Sequence, residues 1–154
     1  MKTDVRWLDA TQQRAWRGFL DVHARLGAVL NRDLQRTSGL TLSDYDILVH
    51  LTDVPDGRLR AFELGDALQW EKSRVSKQVA RLAARDLVAK QECEADRRGA
   101  YVVLTPAGRR AIEAAAPAHV ELVQRLVFDS LTPAQVRTWA AVGASILRRI
   151  EADG

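Results

Sequence analysis

Ser73-Arg74-Val75-Ser76-Lys77-Gln78-Val79-Ala80-Arg81-Leu82 is the stretch on which the fold turns. Val75, Val79 and Leu82 recur at intervals of four and three residues, and Ala83 extends the same apolar helical stripe. Lys72, Arg74, Lys77, Gln78, Arg81 and Arg85 occupy the remaining faces. The pattern predicts a helix over Glu71–Asp86 that buries one seam and presents cations elsewhere. Toward the C-terminus, Leu87–Cys93 and Ala100–Leu104 have strand character, and the polar Asp96-Arg97-Arg98-Gly99 between them predicts a hairpin. Toward the N-terminus, a short helix over Ala61–Leu68 precedes Gln69-Trp70, with Phe62, Leu64 and Leu68 as candidate core residues. Before it, Pro55-Asp56-Gly57 marks a turn. Thr41 and Asp44 form a capping-box pair for a helix carrying Tyr45, Ile47, Leu48 and Leu51. Three helices followed by a hairpin make a winged helix-turn-helix.

Outside this block lie long helical patterns. The first runs from about Asp9 to Thr37, with Trp16, Phe19, Leu20, His23, Leu26, Gly27 and Leu30 at helical spacing and Gly39 as the stop. Thr105-Pro106 opens a long helix that Pro117 should kink. Thr132-Pro133 opens the last one, with Gln135 completing a capping box, Leu131 set to staple onto Val136, and Trp139, Val142, Ile146 and Ile150 as its stripe. The expected order is α-α-α-α-β-β-α-α: a mainly α fold with a minor β part. Residues 1–40 are read as the N-terminal segment and first helix, 41–105 as the winged helix-turn-helix lobe, and 106–154 as C-terminal helices. The apolar stripes on the terminal helices have no partner within the central block. Packing them across a twofold axis gives a homodimer; a monomer that buries them internally is the other solution.

The 154 residues suit one compact domain, and 47% hydrophobic with 28% charged residues is ordinary globular composition. No stretch free of Asp, Glu, Lys and Arg exceeds ten residues, far short of the roughly 20 a membrane span needs. The first ten residues carry acids where a signal peptide needs an apolar run, and a lone Cys93 builds no intrachain disulfide. A cytoplasmic location is expected. Net charge is +3, distributed unevenly. Residues 1–54 hold seven basic and seven acidic groups, 55–110 hold twelve and eight, and 111–154 hold four and five. The excess therefore sits beside the predicted hairpin, which suits a polyanionic partner, although solvated helical faces also carry Lys and Arg.

Three local runs carry a family resemblance. Leu59-Arg60-Ala61-Phe62-Glu63-Leu64-Gly65-Asp66-Ala67-Leu68 resembles the short helix of the MarR family of transcriptional regulators. Ser73–Leu82 resembles its recognition helix. Asp86-Leu87-Val88, then Asp96-Arg97-Arg98-Gly99 closing on Leu104-Thr105, resembles its wing. The likeness extends from about Asp9 to Ile150. Gly65 stands where the family often has alanine, which should loosen the short helix, and Glu71 stands where serine often caps the recognition helix.

In such a fold the second helix enters the major groove with its N-terminal half at the base edges. That half supplies Ser73, Arg74, Ser76, Lys77 and Gln78. Arg and Lys suit guanine O6 and N7, and Gln suits adenine. The resemblance implies that Arg98, with Arg97 beside it, reaches the minor groove from the hairpin tip. Asp96 is better read as orienting the wing, with Arg81 as its partner, since phosphates repel a carboxylate. The resemblance also implies an effector pocket between the dimerisation helices and the DNA-binding lobe. Trp16, Leu20 and His23 share one face of the first helix with Arg17 beside them, a set suited to a small aromatic acid, though Trp16 and His23 would serve equally as core or seam residues.

The resulting expectation is a homodimeric regulator that reads a near-palindromic operator on double-stranded DNA and represses until a small-molecule effector releases it. Two alternatives stay open. One is a thiol switch at Cys93, although Glu92 and Glu94 on either side oppose the thiolate it needs. The other is a helical interaction adaptor whose basic face is merely solvated. No enzyme machinery is visible: His23, His50 and His119 lie on separate helices without metal-ligand spacing, and there is no Gly-rich phosphate loop or nucleophile elbow. No cofactor is expected.

Overall fold

A computed structural model of the chain describes residues 5–92 and 100–154. The element order is α1 (Ala10–Ser38), α2 (Leu42–Thr52), β1 (Arg58–Arg60), α3 (Ala61–Leu68), α4 (Lys72–Ala84), β2 (Val88–Gln91), β3 (Tyr101–Leu104), α5 (Pro106–Leu126), a 3-10 turn (Phe128–Ser130) and α6 (Pro133–Asp153). The helices begin where side chains can satisfy the orphan amides of a first turn. Asp9 and Gln12 exchange bonds of 2.8 and 3.0 Å at the start of α1. Thr41 and Asp44 do the same for α2 at 2.9 and 3.0 Å, and Thr132 with Gln135 for α6 at 2.8 and 3.2 Å. Helix α1 stops at Gly39, whose φ of 71° lies in the left-handed region that only glycine adopts without strain. Glu71 precedes α4 without a side-chain capping bond, as expected of a glutamate.

The chain divides into two compact units, residues 1–115 and 116–154. In the first, a core of Leu34, Leu40, Ile47, Leu48, Leu51, Leu64, Val75, Val79, Leu82, Val88, Val102 and Ile112 joins α1's C-terminal end to α2, α3, α4 and the sheet. The sheet is antiparallel in the order β1-β3-β2, with Leu59 opposite Val102 and Val88 opposite Leu104. Strand β1 is an addition to the sequence reading, which placed no strand between the turn at Pro55–Gly57 and the helix at Ala61–Leu68. Three residues are too few for their alternation to stand out; pairing with β3 makes them a strand. A correction concerns Phe62, which is 48% exposed while Leu64 is fully buried. Helix α3 has only eight residues, and a single apolar position per turn faces inward.

Thr105 ties the strands to α5. Its hydroxyl donates to the Asp86 carbonyl at 2.5 Å and accepts from the Gly108 N–H at 3.0 Å. A Cβ on Gly108 would lie 1.9 Å from the Leu87 carbonyl oxygen, so the helix can approach the β2 entry only with glycine there. Helical structure continues through Pro117, which does not end α5.

In the second unit, Phe128 and Trp139 meet with ring centroids 6.3 Å apart. Trp139, Val142, Ile146 and Ile150 all lie between 48% and 61% exposed, so the α6 stripe faces outward. The N-terminal half of α1 does likewise through Trp16, Phe19 and Leu20. No helix among the described residues is long and apolar enough to cross a membrane.

Candidate nucleic-acid interface

Helix α4 divides cleanly between core and solvent. Val75, Val79 and Leu82 are buried, and Ser73, Arg74, Ser76, Lys77 and Arg81 are exposed on the other side. Its thirteen residues contain Lys72, Arg74, Lys77 and Arg81 and no carboxylate. An open groove of about 540 Å³ runs along Ser73, Arg74, Lys77, Gln78, Ala80 and Arg81. Cations concentrated on one rigid convex element give a positive potential that phosphates feel before contact.

Two of these side chains are held in place. The Arg74 guanidinium lies 3.9 Å from the centre of the Trp70 ring, and its Nη2 donates to the Ser43 hydroxyl at 3.5 Å. The Gln78 amide donates to Oδ1 of Asp44, a carboxylate only 3% exposed. Asp44 also accepts from the Thr41 N–H at 2.9 Å and from Arg85 at 3.3 Å. One carboxylate therefore joins the start of α2 to the middle of α4 and to the residue after its end. Gln78 is half-buried and turned toward the lobe, unlike its exposed neighbours.

The sequence reading passed over three groups here. Trp70 and Asp44 were assigned to a turn and a cap, with nothing in their spacing to show what they touch across helices. Arg58 and Arg60 lie on one side of β1, with guanidinium carbons 4.6 and 4.5 Å from the Tyr101 ring centre. Alternate positions on a strand share a face, a signal that could have been used had β1 been recognised. Arg58 is partly neutralised by Asp56 at 3.0 Å.

Arg97 and Arg98, the expected wing contacts, lie outside the described residues, as do Asp96, the proposed partner of Arg81, and Cys93. The α1 group is only partly assembled. A shallow groove of about 290 Å³ is lined by Trp16 and Arg17 together with Trp7, Leu8 and Gln13; Leu20 and His23 do not line it. His23 instead continues a ring stack, 6.2 Å from Phe19, which is 5.8 Å from Trp16. Among the described residues no group of His, Cys, Asp and Glu could hold a metal ion. In α2, burial and the neighbouring Asp46 carboxylate raise the Tyr45 phenol above its ordinary pKa.

A helix supported from below by two others and flanked by a three-stranded antiparallel sheet defines a winged helix-turn-helix, a DNA-binding fold. The MarR family model matches residues 38–99. AbsC, a MarR family transcriptional regulator from Streptomyces coelicolor, is 38% identical, with 96% of this chain and 99% of that one covered at a TM-score of 0.88. Sco3205, a MarR family regulator from the same organism solved in complex with DNA, is 35% identical over 95% of this chain and 91% of that one, also at 0.88. The chain belongs to the MarR family of transcriptional regulators. BpsR of Bordetella bronchiseptica, whose DNA binding is regulated by 6-hydroxynicotinic acid, is 28% identical, covering 90% of this chain and 92% of that one at 0.67. Among curated proteins, none matches the chain.

Proposed function

We propose that the protein is a homodimeric repressor that reads a near-palindromic operator with α4 and is released by a small aromatic or anionic effector. The observation that carries the DNA-binding part is the exposed face of α4, where Ser73, Arg74, Ser76 and Lys77 have no carboxylate partner among the described residues and lie over a buried apolar seam. Arg97 and Arg98 add minor-groove or phosphate contacts. Gln78, bonded to Asp44, contributes first by fixing the helix and offers a base its second amide hydrogen and its carbonyl oxygen. The DNA complex of Sco3205 supports the same reading here.

The dimer rests on apolar surface that neither terminal helix covers by itself: Trp16, Phe19 and Leu20 on α1, and Trp139, Val142, Ile146, Leu147 and Ile150 on α6. An exposed set of this size marks an interaction surface, and a second copy supplies the same chemistry in return. The effector reading rests on Trp16 and Arg17, which offer a ring wall and a carboxylate fork. It is further supported by BpsR with its hydroxynicotinic acid.

Duplexes selected from a random-sequence pool by the purified protein, followed by titration at several salt concentrations, test the DNA reading. Binding should fall steeply with salt because phosphate contacts release counterions. Lys77→Ala should cost about 1–3 kcal/mol at one base pair and spare the others. Absence of any selected duplex, or a sedimentation mass of one chain at micromolar concentration, would overturn the reading.

A further inference from the structure

We infer that Trp70 is a specificity-determining positioning residue, whose ring holds the Arg74 guanidinium in the pose that reads guanine; this rests on the DNA-binding reading above. An exposed arginine gives up roughly 2 kcal/mol of rotamer freedom when a base fixes it. Here most of that ordering precedes DNA. Arg74 lies on the first turn of α4, with the Trp70 ring 3.9 Å below its guanidinium and the Ser43 hydroxyl of α2 at 3.5 Å from Nη2. With its carbon over the ring, the guanidinium keeps the N–H groups not bonded to Ser43 available, and a guanidinium edge matches O6 and N7 of guanine.

Trp70 is itself fixed by the α3–α4 turn. Gln69 takes a left-handed conformation (φ 55°), and the Trp70 N–H donates to the Gly65 carbonyl at 2.9 Å. A Cβ on Gly65 would lie 3.2 Å from the Trp70 carbonyl oxygen, so a larger residue there would press on the turn by a few tenths of an ångström. The departure from alanine at Gly65, which the sequence suggests would loosen α3, thus coincides with a tight seat for Trp70. The ring is half-buried and packs against the core, with the Arg74 guanidinium over it.

The test uses the full-length protein and the duplex it selects from a random pool, with each G·C pair replaced in turn by A·T. Arg74→Ala should lose discrimination at one G·C pair. Trp70→Leu should lose it at that same pair, with affinity for the selected duplex falling roughly 3–30-fold, the range a cation–π contact supports. Affinity for an unrelated duplex, and its salt slope, should stay unchanged. Trp70→Phe keeps a weaker ring and should fall between the two; it also carries the test if Trp70→Leu does not fold. Arg74→Lys, a point charge without a fork, should lose discrimination at the same base pair. Full discrimination in both Trp70 variants would overturn the inference while leaving the DNA reading intact, as would an Arg74→Ala protein that discriminates normally. Failure of the unaltered protein to select any duplex would instead overturn the DNA reading.

Discussion

Removing the Asp44 carboxylate should destabilise the DNA-binding lobe by about 2–4 kcal/mol, a magnitude that follows from its partners. The carboxylate is 3% exposed and accepts from the Thr41 N–H, the Gln78 amide and Arg85. In Asp44→Ala the half-buried Gln78 amide loses its acceptor, which costs about 1–3 kcal/mol. The Thr41 N–H lies at a helix start and water can reach it, so half of a capping box costs about 1 kcal/mol. The Arg85 side chain is 46% exposed, and solvent screening leaves that ion pair about 0–1 kcal/mol. Relief of the desolvated charge offsets part of the total. Urea titration at fixed protein concentration, with an unchanged slope, measures the difference without confounding it with dimerisation. A double-mutant cycle apportions it: Asp44 with Gln78 should couple by about 1–2 kcal/mol, and Asp44 with Arg85 by less than about 1. An Asp44→Ala protein within about 0.5 kcal/mol of the parent would refute the reasoning, because surface substitutions alone lie in that range.

Gly108→Ala should be more damaging than its conservative chemistry suggests, since the added Cβ would meet the Leu87 carbonyl at 1.9 Å and Leu104 Cδ1 at 2.9 Å. A loss of about 3 kcal/mol or more in urea is expected, and a gain from helix propensity would show that the contact relaxes freely. Tyr45→Phe should flatten the alkaline limb of stability: a phenol held above its unfolded pKa of 10.0 stabilises fully below pH 10 and loses that contribution as pH rises from there through the folded value. Parallel alkaline slopes for parent and variant would show that another group controls that limb.

How far this was legible in the sequence depends on whether the information is local. Caps are local: Thr41 with Asp44 and Thr132 with Gln135 start helices where residues three positions apart said they would, and Thr105 does so before Pro106. Apolar stripes are also local, which is why Val75, Val79 and Leu82 lie buried on one side of α4. Strand β1 is not local: Arg58-Leu59-Arg60 becomes a strand because β3, more than forty residues later, offers Tyr101, Val102 and Val103 as partners. Phe62 shows the converse failure. Its hydrophobicity is a property of the residue, but its exposure is set by how α3 is rotated against α4, which eight residues do not specify.

The interface divides along the same line, and the division has a physical consequence. Periodicity could place Ser73, Arg74, Ser76, Lys77 and Gln78 on the outer part of one helix, because a helix presents its faces by its own geometry. It could not tell that Gln78 is tied down to Asp44 while Lys77 has no partner among the described residues, or that Arg74 rests on Trp70. Those contacts join α4 to α2 and to the α3–α4 turn, across separations of 34 residues for Gln78 with Asp44 and 31 for Arg74 with Ser43. Charge alone would make each cation on α4 an equivalent phosphate contact, able to attract DNA but not to choose among sequences. Choice among bases needs donors held at fixed positions before the DNA arrives, and cross-helix contacts provide that. On the proposed DNA-binding reading, affinity is therefore written along α4 itself, whereas discrimination depends on the α2 and turn residues that hold two of its side chains still.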